Sequence, residues 1–276
     1  MPFETVFDNY SEFEELIRCI QNNITPVNVI TGVGAQRAHL LFGVQKKLNR
    51  PIFVLTATDV EAQTLVEDLR FFFAPEQVLL FPSKEYVYYD IDSVSREMSL
   101  QRLAVLAQLA DGTQGKIVVA GIDAALQYSA DKKAFTENIL HFTVGGTADI
   151  DTLSEKLVTM GYVREDMVEG CGQFSVRGGI VDIFGAGSEN PVRIEFFDDE
   201  VDSIRTFDVG EQRSIDKLER VTAYPCREIL FDTAGKEKLS AYMEKTLAKL
   251  RRSKEDVSDA AEHLAADIER LAEKYY

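Results

Sequence analysis

A single change in hydrophobic texture, falling at about Gly161, does most to restrict what this chain can fold into. From Val27 to Ile122, short apolar runs alternate with stretches of helical period. VNVITGV, PIFVLTAT, QVLLFPS and KIVVAGI are candidate strands, each followed by a helix-like segment. Strands separated by helices pair in parallel, so this half predicts a doubly wound parallel sheet. NILHFTVGG, near Asn138, reads as a further strand, and DIDTLSEKLVTMGY reads as a helix opened by Asp149 or Asp151 and stopped at Gly161. Beyond Gly161, GYVREDMVE, GQFSVRGGIVDIFG and PVRIEFFDDEVDSIRTFD alternate with period 2 and turn at glycines and acidic clusters, the pattern of a mostly antiparallel sheet. From Thr233 onward, Val257, Ala261, Leu264, Ile268, Leu271 and Tyr275 recur at spacings of three and four, which predicts helices with one apolar stripe. That pattern reaches Tyr276 without a cap, so a longer parent chain is expected.

Charge and cysteine usage narrow the function classes. A net charge of -16 repels phosphate backbones at long range and argues against a surface that tracks DNA as a whole. Cys19, Cys171 and Cys226 form no CxxC pair and have no histidine nearby, so neither a zinc site nor a disulfide framework is expected. They read as reduced thiols of a cytoplasmic protein. No signal-peptide pattern opens the sequence, and no apolar window approaches the length of a membrane span.

NVITGVGAQRAHLLFGV lies where a first strand would meet a first helix, the place where P-loop proteins cradle phosphate. Laid on GxxxxGK[ST], the first glycine becomes Thr31, the second becomes Gln36, the lysine becomes Arg37 and the hydroxyl residue becomes Ala38. Ala38 offers magnesium no oxygen, and Gln36 obstructs the close backbone approach that glycine permits. Gly32 and Gly34 then serve only a tight turn, and no cofactor is expected. Other catalytic constellations are weak. Asp90 and Asp92 read as acidic loop residues, and His39, His141 and His263 have no nucleophile or second ligand at useful spacing. Tyr86, Tyr88 and Tyr89 are suited to stacking on bases, or to packing on a sheet edge.

Between Leu157 and Asp216 there is no lysine but there are five arginines: Arg164, Arg177, Arg193, Arg205 and Arg213. The planar guanidinium tolerates desolvation and grips carboxylates with two hydrogen bonds, so this choice suits a protein interface. In VRIEF, alternation sends Val192, Ile194 and Phe196 to one face and Arg193 with Glu195 to the other. In QFSVR, Phe174 and Val176 face inward while Ser175 and Arg177 face outward. Arg164, Arg177, Arg193 and Glu195 are thus expected on one polar sheet face, where replacing an arginine should spare the fold. The alternative is local pairing with Asp166, Asp182, Glu195 or Asp199 on an ordinary wet surface.

The segment GYVREDMVEGCGQFSVRGGIVDIFGAGSENPVRIEFFDDEVDSIRTFDVGEQRS, with its QFSVRGG, FFDDE and closing QRS, resembles the amino-terminal module of the bacterial transcription-repair coupling factor (Mfd) family. The upstream TGVGAQRAHLL and FPSKEYVYYD fit the same resemblance, which covers nearly the whole chain. That module is in turn similar to the excision-repair protein UvrB, whose first domain has an intact P-loop and whose second docks on the ATPase UvrA. Two departures from UvrB stand out: the degraded P-loop, and only about ten residues between Tyr86 and Met98, where UvrB carries a long DNA-clamping hairpin. Carried over residue by residue, the UvrA-docking positions fall on Arg164, Arg177, Arg193 and Glu195, with Ser175 replacing another docking arginine.

The combined expectation is an α/β chain in which a P-loop-like parallel sheet domain carries an inserted α+β docking domain, mostly antiparallel, and closing helices. Its parts are an N-terminal helical segment over 1–25 packing with the closing portion, a degenerate P-loop-like domain over 26–125, a docking domain over 126–215, and a mainly helical closing portion over 216–276. The resemblance implies recruitment of UvrA to stalled RNA polymerase, without ATPase activity. The other implied partner is the remainder of the parent chain, which carries the motor; contact with DNA is weak. The alternative is a UvrB-like nucleotide-binding fragment acting on damaged DNA, with Arg37 in place of lysine. A DNA-binding module using Tyr86 to Tyr89 is a further reading.

Overall fold

The structure, a computed structural model, describes residues 7, 10–30, 34–84, 97–230, 233–252 and 257–272. The chain divides into two compact units, Met1–Ser129 and Ala130–Tyr276.

The first unit contains α1 (Ser11–Gln21), α2 (Gly34–Leu48), β1 (Ile52–Thr56), α3 (Asp59–Arg70), β2 (Val78–Phe81), α4 (Glu97–Asp111), β3 (Ile117–Gly121) and α5 (Ile122–Leu126). The runs PIFVLTAT, QVLLFPS and KIVVAGI become β1, β2 and β3, which pair in parallel in the order β1-β3-β2. The central strand β3 is buried along its whole length, as a parallel strand covered on both faces must be. Ala38 and Phe42 of α2 and Ala62, Val66 and Leu69 of α3 pack with Val78, Ile117 and Val119. Val105 of α4 packs with Leu79 and Val118. Thr58 caps α3, its hydroxyl accepting from the Glu61 amide at 3.1 Å. Arg102 of α4 is fully buried, donates from Nη1 to the Pro82 carbonyl at 2.7 Å, and lies 4.0 Å from the Phe81 ring centroid.

Among the described residues the first expected strand does not form. Residues 24–30 are irregular, with Val27, Val29 and Ile30 exposed, and residues 31–33 lie outside the described residues. Alternation supplies a strand with a face, but a strand also needs a neighbour for its amides, and among the described residues β1 pairs only with β3.

The second unit contains α6 (Lys132–Glu137), β4 (Leu140–Thr143), α7 (Ile150–Thr159), β5 (Val163–Arg164), β6 (Gln173–Arg177), β7 (Ile180–Phe184), β8 (Val192–Phe197), β9 (Glu200–Phe207), β10 (Ser214–Leu218), β11 (Arg220–Ala223), α8 (Thr233–Leu250) and α9 (Ser258–Ala272). β5 to β10 form a six-stranded sheet in the order β10-β9-β8-β7-β6-β5, antiparallel except for the parallel β5–β6 pair, and β11 pairs antiparallel with β4. Strand pairing therefore runs past position 215, where the sequence pattern placed the start of a mainly helical portion.

One sheet face makes the core. Phe174, Val181, Ile183, Val192, Ile194 and Ile204 pack with Leu153 and Leu157 of α7 and with Met160 and Tyr162. Asp149 caps α7, accepting from the Thr152 amide at 2.7 Å, and these hydrogen bonds hold its carboxyl below the usual range. Gly161, at φ +95, ends the turn; a Cβ there would stand 2.5 Å from Nε of Arg227. The Tyr162 hydroxyl donates to the Tyr224 carbonyl at 2.8 Å, and burial pushes its phenol well up.

Candidate protein-docking site

The polar face of the six-stranded sheet is built from a tight hairpin. β6 turns into β7 through Gly178, at φ +59, and Gly179, whose amide-bearing backbone approaches β8 so closely that a Cβ would stand 2.7 Å from the Phe196 carbonyl oxygen. Phe196 returns the contact, donating its amide to the Gly179 carbonyl at 2.7 Å. The two glycines of QFSVRGG thereby dock the hairpin and set Arg177 at its tip.

Asp182 of β7 is the centre of the face. Its side chain is 1% exposed and receives two arginines. Arg193 grips it with a planar fork, Nε to Oδ1 at 2.7 Å and Nη2 to Oδ2 at 2.8 Å, and Arg177 adds Nη2 to Oδ2 at 2.7 Å. Arg193 also donates to Oε1 of Gln212 at 3.0 Å and lies 4.4 Å from the Phe207 ring centroid. The Asp182 hydrogen bond holds the Arg193 proton more firmly than usual. Beside this cluster, Arg205 donates to Oε2 of Glu195 at 2.5 Å, and the Ser203 hydroxyl donates to the same oxygen at 2.8 Å. Arg177, by contrast, keeps 42% of its side chain exposed.

These facts revise the expected face in three ways. Register puts Arg177, Arg193 and Glu195 together, with Ser175 opposite Asp182, but Arg164 of β5 stands in register with Phe174 instead. Arg164 meets only Arg177 of these, at the sheet edge, in a cleft lined by Arg164, Glu165, Asp166, Val176 and Arg177. Ser175 lies on the expected face but does not reach solvent: it is fully buried, and its hydroxyl has no hydrogen-bond partner. Nor is Arg193 a free surface arginine, since only 16% of its side chain is exposed and Asp182 depends on it. Local pairing with Asp182 and Glu195 is therefore real, while Arg177 remains open to a partner. Phe207 and Gln212 went unassigned in the sequence, and Asp182, the one polar residue in the otherwise apolar run IVDIF, was expected only as one of four carboxylates for local pairing.

At the degenerate phosphate loop, Thr31 lies outside the described residues. Gly34 opens α2, Gln36 and Arg37 are exposed, and Ala38 is fully buried among the residues that fill the core between α2 and α3. Oδ2 of Asp68 stands 3.3 Å from where a Cβ on Gly34 would be. Tyr86, Tyr88, Tyr89, Asp90 and Asp92 also lie outside the described residues. His39 stacks on Phe72 at 5.4 Å between centroids and meets Phe7 in a tilted contact at 4.6 Å, and His141 bonds the Thr222 hydroxyl at 3.1 Å. Among the described residues no cluster of histidine, cysteine, aspartate or glutamate is arranged to hold a metal, and no helix is long and apolar enough to cross a membrane.

Residues 140–228, from β4 through β11, match the family described as the UvrB interaction domain. The chain is 33% identical over 274 residues, 98% of its length, to the transcription-repair-coupling factor of Bacillus subtilis. It belongs with the coupling factors, as their UvrB-like amino-terminal module. The coupling factors of Myxococcus xanthus, 34% identical over 71% of this chain, and Mycobacterium bovis, 36% identical over 73%, match it as well. The chain spans 23% or less of the length of these coupling factors. The Arg177–Asp182–Arg193 cluster lies inside the matched interaction domain of the coupling-factor module.

Proposed function

We propose that this chain is a protein-docking module of transcription-coupled repair that recruits UvrA to sites of stalled RNA polymerase, with no ATPase activity of its own. The observation that carries this reading is the arginine clamp on Asp182, presented on the polar face of a sheet that matches the UvrB interaction domain. Desolvated, preorganised arginines at the centre of a sheet face are what interface anchors are made of. Arg177, Arg193 and Glu195 are assigned to the contact, with Arg164 at its edge. Two features support the absence of nucleotide chemistry. Ala38, where a P-loop has its hydroxyl, turns into the core, and the Asp68 carboxylate stands near the start of α2, where phosphate would have to sit. In the parent factor, the motor that displaces polymerase would reside elsewhere in the chain, and this module would contact DNA only weakly. The test is titration of purified UvrA against the chain and its Arg177→Glu variant. Wild-type binding that the variant loses by at least roughly tenfold supports the reading, and equal binding by both excludes this face.

A further inference from the structure

Cross-strand register carries the polar face well beyond Arg177 and Arg193. Ser175 stands opposite Asp182, Asp182 opposite Arg193, Arg193 opposite Arg205, and Arg205 opposite Lys217 of β10. Residues directly opposite one another project from the same face, so these five form one row across five strands, about 19 Å long at the usual strand spacing.

The far end of the row is set by an irregularity. Between Phe207 and Arg205 β9 advances two residues, while β10 advances three, from Ser214 to Lys217. Without that bulge Asp216 would face Arg205 and make an attractive pair; with it, Lys217 faces Arg205 instead. Like charges directly opposite destabilise a sheet, and a bulge is a device for re-aiming a side chain. Asp182 compensates Arg193 and Glu195 compensates Arg205, but the exposed Lys217 makes no ion pair among the described residues. Nε of Arg205 is also buried without a hydrogen-bond partner. On a chain of net charge -16, a register that lines up three bases is an arrangement that folding alone does not favour.

We propose that the docking surface extends across the sheet to Arg205 and Lys217, and that its occupant is a carboxylate-rich segment of the partner lying along the row, across the strands. This rests on the reading that the face docks UvrA. Partner carboxylates would relieve the Arg205–Lys217 repulsion, so the least satisfied end of the free sheet adds to the contact made at Arg177.

The test compares the whole chain with its Lys217→Ala, Lys217→Glu, Lys217→Arg and Arg177→Glu variants for UvrA affinity, and measures their melting temperatures. Lys217→Glu should bind at least roughly tenfold more weakly, Lys217→Ala about threefold, and Lys217→Arg as wild type. Neither Lys217→Ala nor Lys217→Glu should melt below wild type, because each removes a like-charge pair. If Arg177→Glu loses UvrA while all the Lys217 variants bind normally, the extension is overturned and the docking reading stands. A wild-type chain that does not bind UvrA overturns both. Should Lys217→Ala lose melting temperature along with affinity, the lysine is structural and the extension fails.

Discussion

Arg193 and Asp182 face each other across β7 and β8 in direct register, joined by two parallel hydrogen bonds of 2.7 and 2.8 Å in a setting where the carboxylate is 1% exposed. A buried ion pair of this kind is costly to break from one side, because the partner left behind remains buried and charged.

Arg193→Glu is therefore expected to unfold the second unit more readily, rather than to act as a silent surface change. Removing one partner of a buried pair typically costs about 3 kcal/mol or more. A fall in melting temperature of roughly 5–10 °C should show in circular dichroism. An unchanged melting curve would mean that Asp182 does not rely on Arg193.

Arg177→Ala separates binding from folding. Its side chain is 42% exposed and Asp182 keeps the Arg193 fork without it, so the stability loss should stay within about 1 kcal/mol. UvrA affinity should fall by roughly tenfold or more, while Arg50→Glu, at an exposed position of the first unit, changes neither. Parallel calorimetric titrations and melts of the two variants check this.

Isothermal titration with ATP and magnesium should give no binding heat. Ala38→Ser should not create a site, since that side chain points into the core between α2 and α3. Micromolar, magnesium-dependent binding abolished by changing Arg37 would contradict this.

Gly179→Ala is expected to damage the docking face from its hairpin. The new methyl would lie 2.7 Å from the backbone oxygen of Phe196, an atom that cannot swing aside, so β6–β7 and β8 must separate. Lower melting temperature together with weaker UvrA binding is the expected result, and a variant that matches wild type in both shows that the hairpin has slack.

Period-2 alternation after Gly161, the glycine pair of QFSVRGG and the caps around α7 are local signals, and the hairpin, the helix and the strands they predict form, except that GYVREDMVE yields only the two-residue strand Val163–Arg164. Three of the four expected strands of the first unit form for the same reason, since each carries its own apolar face; among the described residues the run at Val27 does not, because a strand also needs a neighbour. Alternation likewise assigned Arg177, Arg193 and Glu195 to one face. It could not tell which of these is buried: Ser175 and Asp182 sit on the nominally outward face, yet neither reaches solvent. Burial on that face depends on what lies across the strands, and that is decided by register. Register comes from the local turn at Gly178 together with the bulge before Lys217 and the packing of Phe207 under Arg193, which join different strands. The sequence by itself determined which residues could form a docking face. Only the tertiary structure decided that Asp182 organises it and that Arg193 is held in a buried fork while Arg177, paired with the same carboxylate, stays partly exposed, because the environment of a charge is set by its neighbours in space.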